Sequence, residues 1–322
     1  MRSSLRLKVG LALGGGAARG LAHLGVLRVL QREQVPIDVI VGTSMGAILG
    51  GAYAVHRDID RLESAVRRVL TSEQFKRNRL NFLRETKQQR GGLLFSVANL
   101  VRKGIFYGVS TVRPSFLSAE EFADSMEAIL PCMNIEDLDL PFGAVTLDIE
   151  AAQEVVLCKG DLRLATKASS AIPGILPPVA MNGRLLIDGG WVDKVPVLPA
   201  FRLGADVVIA VDITAGLEDA RGYRRGLDIM VRANAIKDSK MVAYLKRLAD
   251  VVVQPQTQMI HWADFGAYER CIAAGVEATE QAMPGIRQLL RHERLFSVIR
   301  PGAGRRLADI YLGAEDLELC LE

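Results

Sequence analysis

The sequence predicts an α/β fold in which helices cover both faces of a mostly parallel central sheet, a three-layer α/β/α sandwich. First, short and almost wholly apolar runs occur at residues 9–13, 37–41 and 207–211, and such runs are typical of strands buried on both faces. Second, stretches with helical periodicity alternate with these runs along the chain. Third, the chain has 322 residues, of which 49% are hydrophobic, so it can build a large core.

The first seventy residues contain two strand–helix pairs and then a third helix. Pro36 prevents the first helix from continuing into the second strand. The second helix is crowded with glycine and alanine, and the third is amphipathic, with Ile59 and Val66 on its apolar face. These elements are predicted, in order, at 9–13, 21–34, 37–41, 45–55 and 58–70.

The second half of the chain continues the alternation of strands and helices. The pair Asn182-Gly183 separates two short apolar stretches, which is a strong signal for a β-hairpin. Two long stretches of helical character flank a short run of valines that starts at Val251. Strands are predicted at 142–149, 154–158 and 207–211 and at Val251, and the long helices are predicted at 226–248 and 265–283.

We expect a single domain, with a core at residues 9–204 that is completed by the strands and helices of residues 205–322. Residues 71–118 differ in character and are predicted to be an insertion. Between residues 75 and 104 there are eight basic residues and one acidic residue, with apolar residues between them. This segment is either a solvated surface or an interfacial element that makes peripheral contact with an anionic membrane.

Composition and patterning argue against several classes of protein. A formal charge of +3 is too small for a dedicated nucleic-acid binder. The basic start and the apolar run after it imitate a signal peptide, but the run is short and broken by glycines, so a first strand is expected. No uncharged run reaches the length of a membrane-spanning helix. The cysteines are far apart, which predicts reduced thiols in the cytoplasm and neither a disulfide framework nor a zinc site: Cys132, Cys158, Cys271 and Cys320.

The stretch GTSMG, from Gly42 to Gly46, is a candidate nucleophile site. It is a GxSxG pattern between a predicted buried strand and a helix rich in small residues. That setting is the one in which the pattern indicates a nucleophile, because the sharp turn lifts the serine hydroxyl out of the sheet. Ser44 is therefore predicted to attack an electrophilic carbon.

Two kinds of base are available to this serine. The order of Ser44, then an aspartate, then His261 or His292 along the chain suits the Ser-His-Asp triad of an α/β-hydrolase-like esterase. That fold, however, places several strands before its nucleophile, whereas at most two are predicted before Ser44. The other candidate is Asp188, which ends a predicted strand and precedes Gly189 and Gly190. A carboxylate beside a serine can accept its proton directly.

A glycine-rich loop, GGGAARG, follows the first predicted strand. Such strand-to-helix turns hold negative charge, either a phosphate or an oxyanion. Nucleotide binding is disfavoured because the loop lacks the lysine of a Walker motif and has Arg19 where the third dinucleotide-binding glycine would stand. His23, on the helix after the loop, is predicted to be structural.

The three motifs in this order resemble the patatin-like phospholipase family, and most closely its small bacterial members. The resemblance extends from about Val9 to Asp212 and includes KASSAIPGILPPV before the DGG motif. It implies a patatin-type sandwich and a serine acyl hydrolase that cleaves fatty-acyl esters of lipids. The residues that it implies are the nucleophile Ser44, the proton acceptor Asp188, the oxyanion-loop residues Gly15, Gly16, Ala17 and Arg19, and the motif-supporting glycines Gly42, Gly46, Gly189 and Gly190.

Two positions depart from the family pattern. Ala17 stands where the family often has a glycine, and Asp193-Lys194 stand where it often has asparagines. Trp191 either lines an acyl groove or packs in the core. The resemblance implies no metal or organic cofactor, a lipid or acyl-ester substrate, and no nucleic-acid partner. A non-catalytic regulator or scaffold on the same fold is the remaining alternative.

Overall fold

The computed structural model describes residues 7–73, 75, 126–214, 216–217, 226–296 and 317–318. The basic segment 75–104 and the predicted insertion therefore lie almost wholly outside the described residues. The described strands are β1 (Val9–Leu13), β2 (Val39–Thr43), β3 (Phe142–Asp148), β4 (Gln153–Leu157), β5 (Val179–Met181), β6 (Arg184–Asp188), β7 (Val207–Val211), β8 (Val251–Val253) and β9 (Leu317–Glu318). The described α-helices are α1 (Ala22–Arg32), α2 (Met45–His56), α3 (Ile59–Thr71), α4 (Leu162–Ser169), α5 (Val197–Arg202), α6 (Gly226–Lys246) and α7 (Tyr268–Phe296).

The centre of the sheet is parallel, as the sequence predicts. Within the described residues its order is β5-β6-β3-β2-β1-β7-β8, with β4 paired to β3 and β9 paired to β4. All neighbours from β3 to β8 in this order are parallel, whereas β6 and β4 run antiparallel to β3. The hairpin at Asn182-Gly183 joins β5 to β6, and both residues have positive φ angles, as a tight hairpin turn requires.

Helices cover both faces of the sheet, which confirms the predicted three-layer α/β/α sandwich. Leu11 and Leu13 of β1 belong to the larger apolar cluster, which packs against α1, α2, α3, α4 and α7. Ala12, between them in the strand, belongs to a second cluster with α5 and with Val242 of α6. Because successive side chains point to opposite faces of the sheet, β1 contributes to two separate apolar clusters.

Strands β2 and β6 share one edge of β3. Val145 pairs with Thr43 of β2 and with Val156 of β4, so β2 and β4 must lie on opposite edges of β3. Thr146 pairs with β4 and also with Asp188 of β6. Strand β6 therefore lies on the same edge of β3 as β2 and runs antiparallel to β2. The two strands end next to each other.

Two sequence-based predictions need correction. Helix α7 does not stop near Met283 but continues through Pro284 to Phe296, because Met283 and Ile286 both remain buried on its core face. Cys132 and Cys271 carry free thiols, but Cys158 is disulfide-bonded, so the prediction of four reduced thiols is wrong at this position.

The crossing of α1 and α7 yields a stability prediction. A Cβ on Gly275 would lie 2.0 Å from the carbonyl oxygen of Ala22, whereas a Cβ on Gly285 of the same helix would meet nothing within 4 Å. Gly275→Ala should therefore force the helices apart and cost about 1–3 kcal/mol of unfolding free energy. Gly285→Ala should leave stability unchanged or raise it, because alanine is the better helix former. Thermal unfolding of the two variants measures the difference, and equal midpoints would contradict this packing.

Candidate active site

Ser44 occupies a sharp turn between β2 and α2. Its φ angle is 56°, a left-handed conformation that is strained for a residue with a side chain. The turn is possible because its flanking glycines touch backbone: a Cβ on Gly46 would lie 2.1 Å from the carbonyl oxygen of Leu13, and one on Gly42 would lie 2.4 Å from the amide nitrogen of Ala47. The turn presents the Ser44 hydroxyl at the carboxyl end of the parallel strands.

The Ser44 hydroxyl and the Asp188 carboxylate meet where β2 and β6 end. Ser44 Oγ donates a hydrogen bond of 2.6 Å to Asp188 Oδ2, with no third side chain between them. Both residues are buried, with 5% and 4% of their surfaces exposed. Two residues that lie 144 positions apart in the chain are thus in direct contact.

Backbone groups fix the Asp188 carboxylate. Its Oδ1 accepts a hydrogen bond of 2.7 Å from the amide of Gly190. Gly189 is packed against β3 so closely that a Cβ would lie 2.3 Å from the carbonyl oxygen of Val145. Burial raises the pKa of Asp188 to about 6, although the hydrogen bonds from Ser44 and Gly190 and the charge of Lys194 act in the opposite direction.

Ser169, at the end of α4, supports the nucleophile from behind. Its Oγ accepts a hydrogen bond of 3.0 Å from the Ser44 amide and donates one of 2.6 Å to the carbonyl oxygen of Val145. The hydroxyl therefore ties the strained turn to strand β3. No local signal in the sequence marks Ser169 as a functional residue, although it lies within the KASSAIPG stretch that carries part of the family resemblance.

The glycine loop lies beside the serine, held by backbone contacts. The Gly14 amide donates to the carbonyl of Val211 at 3.1 Å, and the Gly15 amide donates to the carbonyl of Lys194 at 3.0 Å. His23 Nε2 lies 2.8 Å from the Gly14 carbonyl oxygen, which can only accept, so Nε2 carries the proton. His23 is fully buried, and burial lowers its pKa to about 4. It is therefore neutral, and its structural role is to support the glycine loop.

Gly16 and Ala17 occupy the tip of the loop. Within the described residues, no protein acceptor takes up either amide, whereas the next amide, of Ala18, donates to the carbonyl of Trp262 at 2.8 Å. Ala17 has a φ angle of 49°, which lies in the left-handed region that favours glycine, and glycine is the residue that the family resemblance implies here. Arg19 Nε donates to the carbonyl of Ile260 at 2.7 Å and holds the loop against that segment.

The other predicted histidines differ in how far the structure describes them. His261 Nδ1 accepts a hydrogen bond of 3.2 Å from the amide of Ala263. The side chain of His292 lies outside the described part of the chain. Since Ser44 already donates directly to Asp188, the described geometry contains no imidazole relay between them.

The segment Asp193-Lys194, which departs from the family pattern, helps to build the site with both backbone and side-chain groups. The Asp193 carbonyl accepts from Thr43 Oγ1 at 2.9 Å, and the Lys194 carbonyl accepts from Gly15 as described. The Lys194 ammonium forms an ion pair of 2.7 Å with Asp238 of α6. This segment thus links β2, the glycine loop and α6.

A cavity of about 620 Å³ opens above Ser44 and Asp188, within the size range of small-molecule sites. Trp191 lines it with half of its surface exposed, so this residue belongs to the cavity wall rather than to the core. Residues of the glycine loop and of α6 also line it. Its apolar wall includes Ile172, Pro173, Ile175, Trp191, Leu217 and Val231.

The described residues form neither a cluster of metal ligands nor a membrane-spanning helix. No group of three or more histidine, cysteine, aspartate or glutamate side chains there could hold a metal ion. No helix in that part of the chain is long and apolar enough to cross a membrane.

Comparison with known proteins places this chain in a family. The family model for patatin-like phospholipases matches residues 11–201. The chain is 32% identical over 273 residues to mouse patatin-like phospholipase domain-containing protein 7, covering 81% of this chain and 18% of the relative. It is 34% identical over 213 residues to an uncharacterized NTE family protein of Mycobacterium tuberculosis, covering 66% of this chain and 51% of the relative.

The chain therefore spans about half or less of the length of these relatives. Among solved structures, VipD from Legionella pneumophila aligns with a TM-score of 0.43 and 14% identity, over 88% of this chain and 67% of that chain. The family assignment depends on the sequence matches alone. Because the family model covers more than half of its residues, the chain belongs to the patatin-like phospholipase family.

Proposed function

We propose that this protein is a serine acyl hydrolase that cleaves fatty-acyl esters of lipids with a Ser44–Asp188 dyad. The observation that carries the proposal is the direct hydrogen bond of 2.6 Å from Ser44 Oγ to Asp188 Oδ2 at the base of a largely apolar cavity. Membership in the patatin-like phospholipase family supports a lipid ester as the substrate class.

The reaction needs one base that acts twice. Ser44 Oγ attacks the ester carbon while Asp188 accepts its proton, and Asp188 then returns that proton to the departing alcohol. Asp188 next takes a proton from water, which attacks the acyl-serine, and gives it back to Ser44 Oγ as the fatty acid leaves. A carboxylate whose pKa is raised to about 6 is a stronger base than an exposed one and is still mostly ionised at neutral pH.

The negative oxygen of each tetrahedral intermediate would bind to the amides of Gly16 and Ala17. These are the two loop amides without a protein acceptor in the described structure, whereas the Gly15 amide is already donated to Lys194. The proposed oxyanion hole thus loses one of the three donors that the family resemblance implies. Each donor aimed at the developing charge is worth about 10²–10³ in rate, so two account for a large share of the catalysis.

A non-catalytic scaffold would have no need for this arrangement. Holding Ser44 in a strained conformation and burying an ionisable carboxylate both cost stability, and a binding module gains nothing from either. A Ser-His-Asp triad would require an imidazole at the position where the Asp188 carboxylate contacts Ser44.

The dyad predicts which substitutions abolish activity. Ser44→Ala and Asp188→Asn should each lower kcat/KM on a soluble short-chain ester by at least about 10³-fold. His261→Ala and His292→Ala should retain near-wild-type rates. Asp188→Asn should also melt at the same temperature as wild type or higher, because it removes a buried charge. Loss of turnover in a folded histidine variant would replace the dyad with the triad, and full activity without Ser44 would end the proposal.

Two adjacent serines provide a matched test of the support behind the nucleophile. Ser169→Ala leaves the buried Ser44 amide without its acceptor, so kcat should fall by about tenfold to a hundredfold while KM changes little. Ser170→Ala is the control, because Ser170 is also buried and its Oγ has no hydrogen-bond partner in the described structure. Steady-state kinetics of both variants decide, and equal losses would show that the effect is not specific to Ser169.

The raised pKa of Asp188 predicts the acid side of the pH profile. The base must be ionised, so kcat/KM on a soluble ester should fall about tenfold per pH unit below a pH of about 6 and be level just above it. Lys194 lowers the pKa of Asp188 through its charge, so Lys194→Met should move this limb to higher pH. A limb near pH 4 in the wild type, or a shift to lower pH in the variant, would contradict the assignment.

A further inference from the structure

Helix α6 forms one wall of the cavity but packs weakly against the rest of the protein. Val231, Ala235, Asp238 and Val242 lie on one face of it, at helical spacing, and line the cavity. Among the residues of α6 whose burial is described, only Val242 is buried. The helix is therefore a surface element with the active-site cavity on one side.

The opposite face of α6, which we call the outer face, is also apolar. Five large side chains on it are each 40–69% exposed: Ile229, Met230, Ile236, Met241 and Tyr244. At 100° per residue these positions centre on the side of the helix away from Val231, Ala235 and Val242. Single exposed apolar residues are common, but a cluster of five on one helix face marks an interaction surface.

The charges on this helix are distributed unequally between its faces. Lys237 and Lys240 are exposed on the outer face among the apolar side chains. The acidic residues of the helix are Asp228 and Asp238, and both fall on the cavity side, where Asp238 pairs with Lys194. The Lys237 ammonium also lies 3.8 Å from Asp238 Oδ1, so Asp238 offsets part of its charge, but the outer face itself carries apolar and basic side chains.

The rim of the cavity continues this apolar surface. Trp191, Leu217 and Val231 line the cavity and are 38–55% exposed. A body that covered the outer face would thus lie next to the opening through which a substrate reaches Ser44.

We propose that the outer face of α6 is an interfacial surface that rests on an anionic lipid bilayer. Its side chains would enter the boundary between headgroups and acyl chains, and Lys237 and Lys240 would contact the negative headgroups. This inference rests on the proposed function, because a lipid hydrolase must take its substrate from such a surface.

A second copy of the chain fits this surface less well. A twofold contact places the same patch on both partners, so it would bring Lys237 and Lys240 of each copy close to those of the other. Asp238 already pairs with both Lys194 and Lys237, so it offsets only part of that repulsion. A bilayer containing acidic phospholipids provides both an apolar phase and the opposite charge.

Two isoleucines of similar exposure provide the test. Ile236 on the outer face is 40% exposed, and Ile149, in the turn between β3 and β4, is 46% exposed. Both positions are changed to aspartate in full-length protein that also carries Ser44→Ala, so that the lipids are not cleaved. Sedimentation with vesicles of equal parts phosphatidylcholine and phosphatidylserine, and with phosphatidylcholine vesicles alone, measures binding.

We expect binding to the anionic vesicles that Ile236→Asp lowers by about tenfold or more and Ile149→Asp leaves unchanged. Lys237→Glu with Lys240→Glu should lower binding to the anionic vesicles in the same way and leave the weaker binding to neutral vesicles unaffected. Absence of binding, equal binding to both vesicle types, or equal loss in both isoleucine variants would overturn the proposal. So would a dimer that Ile236→Asp converts to monomer without a change in vesicle binding.

Activity measurements separate this inference from the proposed function. With Ser44 intact, Ile236→Asp should hydrolyse a soluble short-chain ester at the wild-type rate but lose activity on vesicle-borne lipid. If the wild type binds anionic vesicles through α6 and cleaves no ester, the proposed function fails and the surface stands. If Ile236→Asp retains full activity on vesicle-borne lipid, the surface fails and the dyad stands.

Discussion

The candidate site depends on one constraint, the position of the ends of β2 and β6. The two strands end head to head along the same edge of β3. Val145 and Thr146 are consecutive residues of β3, and they pair with the last residue of each of these strands. A parallel strand and an antiparallel strand therefore meet head to head, and the residues at their ends, Ser44 and Asp188, have no room to separate. The hydrogen bond between them follows from sheet register and needs no loop to move.

Close backbone packing around Val145 then sets the chemistry. The Val145 carbonyl accepts from Ser169, which holds the Ser44 amide, and it faces Gly189 so closely that no side chain fits there. The same packing excludes water from Asp188, and burial is the largest influence on its pKa. If the ends of β2 and β6 lay farther apart, the contact between Ser44 and Asp188 would be lost, and so would the burial that raises the pKa of Asp188.

Local patterns in the sequence predicted the layers of the fold and singled out Ser44 and Asp188, the two residues that the structure brings into contact. Apolar runs identify buried strands, and glycines around Ser44 and after Asp188 identify turns. What it did not predict depends on contacts between distant segments. Nothing near Gly15 in the sequence indicates that its amide is taken up by the Lys194 carbonyl, and nothing near Ser169 indicates that its hydroxyl supports residue 44. Helix α7 passes Pro284 because buried side chains on either side of it outweigh the lost hydrogen bond.

The two sides of the cavity differ in how they are held. Ser44, Asp188 and the glycine loop are fixed by buried hydrogen bonds that involve strands β3 and β7 and the Asp193-Lys194 segment. Helix α6 is held by a few polar contacts, among them the ion pairs Lys194–Asp238 and Lys246–Asp212, and by one buried valine. Elements with few buried contacts open at the lowest free-energy cost. Under the proposed function, Ser44 and Asp188 would therefore keep their positions while the α6 wall adjusts to the shape of the acyl chain.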